Sequence, residues 1–148
     1  MLWGCFSYHG IGSLVVVHGN VDQHKYRMVL EDNLQYSADL MGLGQRFVFQ
    51  QDLARMHTAP AVRDYFEENR IEVMGWVAQS AEFNSIENLW AYLDANVPIS
   101  ERCNKVRFEA ALQRTWSALP KDLWQNLVNS VPNRFIKAIQ SKGHLIGY

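Results

Sequence analysis

Two acidic residues stand where catalysis or metal binding is easiest to build. Asp52 follows the apolar run Arg46-Phe47-Val48-Phe49-Gln50, and Glu87 lies in the segment Ile86-Glu87-Asn88-Leu89-Trp90. The run is bounded by glycine before it and by Asp52 after it, so it reads as a strand buried on both faces with Asp52 at its carboxyl end. Open α/β sheets gather their sites at such strand ends. Glu87 falls in the first turn of a helix that follows the neighbouring strand. Two carboxylates brought together would raise each other's pKa unless a divalent cation lay between them, and hard oxygen donors favour Mg²⁺ or Mn²⁺. Each acid also has an ordinary explanation, because a loop Asp stabilises turns and a first-turn Glu favours the helix dipole. Chemistry requires that the fold unite them.

The elements that would do so follow from periodicity. Residues 2–7 and 13–18 are rich in aromatic and β-branched side chains and are joined through His9-Gly10-Ile11-Gly12, the pattern of a β-hairpin. From Asp22, a good cap, Tyr26, Val29, Leu30 and Leu34 recur at helical spacing until Gly42 and Gly44. After Asp52, Thr58 and Pro60 open a helix with Val62, Tyr65 and Phe66 on one face, and Ile71-Glu72-Val73-Met74 follows as a strand. Strand, helix, strand is a βαβ unit with parallel strands. Trp76 to Phe83 lacks periodicity and reads as a loop. Ile86, Leu89, Trp90, Leu93 and Val97 then mark an amphipathic helix ended by Pro98. The rest is helical, with one stripe from Phe108 to Leu119, a second from Leu123 to Val128 ending before Pro132, and a last helix holding Phe135, Ile136 and Ile139.

Composition narrows the function classes. The chain has 148 residues, 48% of them hydrophobic and 20% charged, which predicts one folded domain over 1–148. The longest aliphatic run, Leu14 to Val17, is far too short to cross a bilayer, and the start lacks the features of a secretory signal, so no membrane partner and an intracellular location are expected. Cys5 and Cys103 have no metal-clasping neighbours and read as reduced thiols. Net charge is −1, but residues 1–100 carry 6 basic against 12 acidic residues and residues 101–148 carry 8 against 3. A basic end on an acidic body suits DNA phosphates, or is simply the solvated face of amphipathic helices.

The segments FVFQQDLARMHTA, IEVMGWVAQS and EFNSIENLWAYL resemble the catalytic region of mariner-type transposases, and the resemblance runs from Trp3-Gly4-Cys5-Phe6 to Gly147-Tyr148. It implies an Asp-Asp-Glu enzyme with a ribonuclease H-like α/β fold. The family's second Asp follows a Gln-Gln pair and its Glu lies in an Ile-Glu-Asn-Leu-Trp segment, which places these roles on Asp52 and Glu87, with 34 residues between them as in the best-known branch. By the same resemblance the two acids hold Mg²⁺ or Mn²⁺, the partner is transposon-end DNA, the chemistry is two-metal strand cleavage and transfer, and the location is the nucleus. His57, in the His-Thr pair, would assist metal or phosphate, or else cap the next helix. Arg102, Lys105 and Arg107 are candidate phosphate contacts. Trp76 and Trp90 read as core residues rather than base-stacking ones.

The match also departs from the family. The first Asp belongs on the central strand, ahead of Trp3-Gly4, and the helix-turn-helix modules that read DNA ends lie further upstream. The expectation is therefore a ribonuclease H-like mixed sheet lacking its first central strand, with a helical C-terminal third, and a chain that is inactive by itself. Unpaired strand edges would favour homo-oligomers. Leu53, Arg55 and Met56 replace the usual Asn, Pro and small residue, and Ala81-Glu82-Phe83-Asn84-Ser85 replaces a proline-rich run. The competing expectation is a repurposed, non-enzymatic DNA- or protein-binding module.

Overall fold

The computed structural model describes residues 1–76 and 83–140. Two compact units divide the chain, Met1–Gln79 and Ser80–Tyr148.

The first unit opens with the expected hairpin, β1 (Leu2–Phe6) and β2 (Ile11–Val16), antiparallel with Leu2 opposite Val16 and Gly4 opposite Leu14. Gly12 is required there: a Cβ would lie 2.6 Å from the Ser37 Cβ and 2.7 Å from the Cys5 Sγ. Helix α1 (Gln23–Leu40) starts where Asp22 accepts a hydrogen bond from the Lys25 amide at 2.9 Å, and that bond holds the Asp22 carboxyl below its usual pKa. Its end is a Schellman turn. Gly42 takes φ 69°, which a residue without Cβ adopts freely, and the Leu43 amide reaches back to the Ala38 carbonyl at 2.9 Å.

Strand β3 (Val48–Phe49), helix α2 (Pro60–Glu68) and strand β4 (Glu72–Val73) form the predicted βαβ unit, with β3 and β4 parallel. The β3 strand differs from expectation: only Phe49 is buried, while Val48 is 49% exposed, because alternate side chains leave opposite faces and one face here is open. Pro60 occupies the first helical position, behind Ala59 as cap rather than Thr58. Arg70 ends α2 at φ 55°, a conformation that suits glycine better. Trp3, Leu30, Leu34, Phe49, Val62 and Phe66 form one apolar core, so hairpin, α1 and the βαβ unit are joined by burial. Their strands form two separate two-stranded sheets, β1-β2 and β3-β4, not a single mixed sheet. Among the described residues, β1 and β3 are each paired along one edge.

The second unit is helical over its described residues: α3 (Ile86–Asn96), α4 (Ile99–Arg102), α5 (Lys105–Ser117) and α6 (Lys121–Gln140). Leu89, Leu93 and Val97 are buried as the spacing predicts, and α3 packs on α5 with Trp90 and Trp116 stacked at 5.6 Å. The break expected at Pro132 does not occur, since α6 runs through it as one helix. The proline forfeits one amide bond, to the Val128 carbonyl, and the turns on either side continue. Ile136 and Ile139 on this helix are 52% and 76% exposed, while Arg134 is buried. No helix among the described residues is long and apolar enough to cross a membrane.

Candidate functional site

Asp52 is presented by the loop that leaves β3. Its Oδ1 accepts the Ala54 amide at 2.9 Å, a local turn that only a short acceptor side chain closes, and also engages the His57 Nδ1 at 2.6 Å. Because an ionised carboxylate only accepts, Nδ1 carries the proton in this pairing. The Asp52 side chain is 45% exposed and that of His57 16%. His57 therefore does not cap α2, whose first turn lacks any side-chain cap bond.

Behind this pair lies Tyr26 of α1. Its ring packs on the His57 imidazole, centroids 4.3 Å apart, and its hydroxyl donates to the Gln51 Oε1 at 3.0 Å. Gln51 in turn donates from Nε2 to the His57 carbonyl at 3.1 Å. Burial drives the Tyr26 hydroxyl far above its ordinary pKa, and the Asp52 charge adds to that shift. Gln51 and Tyr26 were legible in the sequence only as a family match and a core position. Their polar connection was not.

Asp52 and His57 line a cleft of about 620 Å³ at the carboxyl ends of β3 and β4. Arg63 and Arg70, which the sequence reading did not single out, line it as well. So does Trp76, half-buried there rather than in the core.

Glu87 lies in the first turn of α3, exposed. Ser85 precedes it in helical conformation without a side-chain cap bond, and its buried hydroxyl has no partner among the described residues. The turn is fixed from α6 instead. The Arg134 guanidinium reaches the Asn88 Oδ1 at 3.3 Å, and Phe83 stacks on Phe135 at 4.3 Å. Asp52 thus belongs to the first unit and Glu87 to the second.

The three basic candidates differ. Arg102 is engaged, bonded to the Asp94 carboxylate at 2.8 Å and to the Asp94 and Val97 carbonyls at the end of α3. Lys105 and Arg107, in the first turn of α5, are exposed. Part of the predicted loop, residues 77–82, lies outside the described residues, as does the end of the chain from 141.

Oxygen donors such as Asp52 and Glu87 suit a hard divalent cation, and Asp52 has its Oδ1 already satisfied by protein donors. Among the described residues no three His, Cys, Asp or Glu side chains gather as a metal site. A cation would need donors from more than one segment.

With this geometry in hand, comparison with known proteins is informative. No family model matches the chain. The catalytic domain of Mos1 transposase, solved with raltegravir and Mg, superposes on 99% of this chain and 76% of that one with TM-score 0.80 at 20% identity. The Mos1 paired-end complex with the left transposon end gives TM-score 0.86 over 99% of this chain and 44% of that one, also at 20% identity. The fold is accordingly that of the Mos1 catalytic domain. In sequence, the Tcb1 transposase of Caenorhabditis briggsae is 32% identical over all 148 residues, covering 54% of that protein. The chain spans about half the length of the curated relatives it matches. Its kinship, over its whole length, is with the mariner-type transposase catalytic domain.

Proposed function

We propose that these residues form part of a metal-dependent domain for DNA strand cleavage and transfer, acting on transposon-end DNA in the nucleus, with Asp52 and Glu87 as metal ligands. The observation that carries this is Asp52 itself: it follows the strand end of a βαβ unit, opens on a cleft, and has one carboxylate oxygen held by the Ala54 amide and His57. Bound there, Mg²⁺ or Mn²⁺ would supply Lewis-acid activation of phosphate and attacking hydroxyl. The chain's own residues orient the ligand acid, and Arg63 and Arg70 bring positive charge to the same cleft. Lys105 and Arg107 are proposed as outer phosphate contacts, and Arg102 as a residue that ties α4 to α3.

A further strand carrying a third acid belongs against β1 and β3, each paired along one edge among the described residues. The 148 residues alone are therefore proposed to be catalytically silent and prone to self-association. Together they are read as one catalytic domain, with DNA-end recognition by helix-turn-helix modules residing elsewhere.

Adding Mn²⁺ or Mg²⁺ to the chain should raise its melting temperature, and Asp52→Asn and Glu87→Gln should abolish the rise. No rise in the parent chain removes the metal-site reading. Cleavage of a transposon-end duplex is expected only when a strand bearing the third acid is supplied. The exposed Lys105 and Arg107 favour a second reading, a module that binds DNA without cutting it. Duplex affinity that falls steeply with salt and with Lys105→Ala and Arg107→Ala, in a chain indifferent to metal, would select that reading.

A further inference from the structure

We propose that Tyr26 and Gln51 act through His57 as a positioning chain that fixes Asp52 in a single orientation, with Oδ1 retained by the protein and Oδ2 offered to a cation. This rests on the reading of Asp52 as a metal ligand. Asp52 stands on a loop and its side chain is 45% exposed, so its orientation is not set by burial. A free carboxylate would have to give up rotamer freedom on every binding event.

The hydrogen bonds remove that freedom, and each polar atom has one role. Tyr26 is almost fully buried, and its hydroxyl faces the Gln51 amide. The hydroxyl proton then goes to the Gln51 Oε1 at 3.0 Å, which settles which end of the amide is which. Nε2 consequently faces the His57 carbonyl, at 3.1 Å, and holds the backbone of that residue. The His57 ring, pressed on Tyr26 with centroids 4.3 Å apart, directs Nδ1 to the Asp52 Oδ1 at 2.6 Å. The Ala54 amide takes the same oxygen. Both hydrogen bonds to the Asp52 carboxylate among the described residues fall on Oδ1, which leaves Oδ2 for a ligand. The chain runs from Tyr26 of α1, itself part of the buried core, to the loop after β3, so the core of the first unit is what orients the acid.

The decisive comparison is between two buried tyrosines. Tyr65 also spends its hydroxyl on a hydrogen bond, to the Leu30 carbonyl at 3.2 Å, and takes no part in the chain to Asp52. Mn²⁺ binding to the 148-residue chain, followed by electron paramagnetic resonance, should weaken about tenfold in Tyr26→Phe and in Gln51→Leu, the usual size of an outer-shell effect. It should be unchanged in Tyr65→Phe, although both tyrosine variants lose some thermal stability. Nitrogen NMR of the His57 imidazole in metal-free protein supplies an independent readout. The Nδ1-protonated form should dominate in the parent and in Tyr65→Phe, and give way to a mixture in Tyr26→Phe and Gln51→Leu. Equal weakening in both tyrosine variants, unchanged Mn²⁺ affinity in Tyr26→Phe, or an unaltered His57 tautomer would each overturn the positioning role. A parent chain that binds no Mn²⁺ defeats the metal reading instead, and the tautomer measurement then decides the positioning chain by itself.

Discussion

Asp52 and Glu87 are supported by different means, although each lies where a loop meets regular structure. Asp52 is gripped at its own oxygen by a backbone amide and a histidine, and that histidine is anchored through Tyr26 and Gln51 to a buried core. The Glu87 carboxylate has no hydrogen bond or ion pair among the described residues, and what is fixed is the helix under it, through Arg134 to Asn88 and Phe83 on Phe135. One acid is held by its side chain, the other by its backbone. A carboxylate of the first kind arrives at a cation already oriented, whereas one of the second kind keeps rotamer freedom and adapts.

This contrast can be broken at several points. The largest effect is expected in thiol labelling, since each unit contains one cysteine. Burial pushes the Cys5 thiol up to about 11, so at pH 8 only about a thousandth of it is thiolate, whereas Cys103 is exposed. Cys103 should label faster by two orders of magnitude or more, and comparable rates would show that the first unit opens readily. Next in size is core truncation. Leu30→Ala, at a fully buried position, should cost about 3 kcal/mol in denaturant unfolding, against almost nothing for Ile139→Ala at 76% exposure. A large loss for Ile139→Ala would mean that this face of α6 is covered in solution.

Among its described residues each unit also contains a local misfit whose relief should stabilise it by up to about 1 kcal/mol. Arg70→Gly frees a residue held at φ 55°, and Ser85→Ala removes a buried hydroxyl without a partner among the described residues. Destabilisation by Ser85→Ala, measured by thermal unfolding, would show that the hydroxyl is satisfied. The smallest effect concerns pH. The Lys25 amide lowers the Asp22 pKa on folding, so this group stabilises α1 above the unfolded carboxylate range and the benefit is lost as pH falls through the lowered value. Asp22→Asn should flatten the acid limb of the stability curve, while an unchanged limb would place the acid sensitivity elsewhere.

The hairpin, α1 from its Asp22 cap to Gly42, the βαβ unit and α3 up to Pro98 were legible because periodicity, caps and glycines are local signals. The two-sided burial of β3 was not, because a short apolar run looks the same whether one face or two are covered, and Val48 shows that one is open. Pro132 misled for a related reason: a proline's cost in a helix is fixed, but whether flanking turns outweigh it is set by the whole helix. His57 was visible only as a residue near Asp52. That it bonds Asp52 rather than capping α2 depends on Tyr26, which is far away in sequence.

The amino-acid sequence by itself determined the order and kind of the elements, the two acids that a site requires, and the kinship with mariner-type transposases, all of which reside in local spacing or in residue identity. Tertiary structure alone decided which oxygen of Asp52 the protein keeps, which arginines share its cleft, and which apolar residues of α6 stay exposed. Those outcomes depend on contacts between residues distant in the chain, and a hydrogen bond or a buried face exists only once both partners have been brought together.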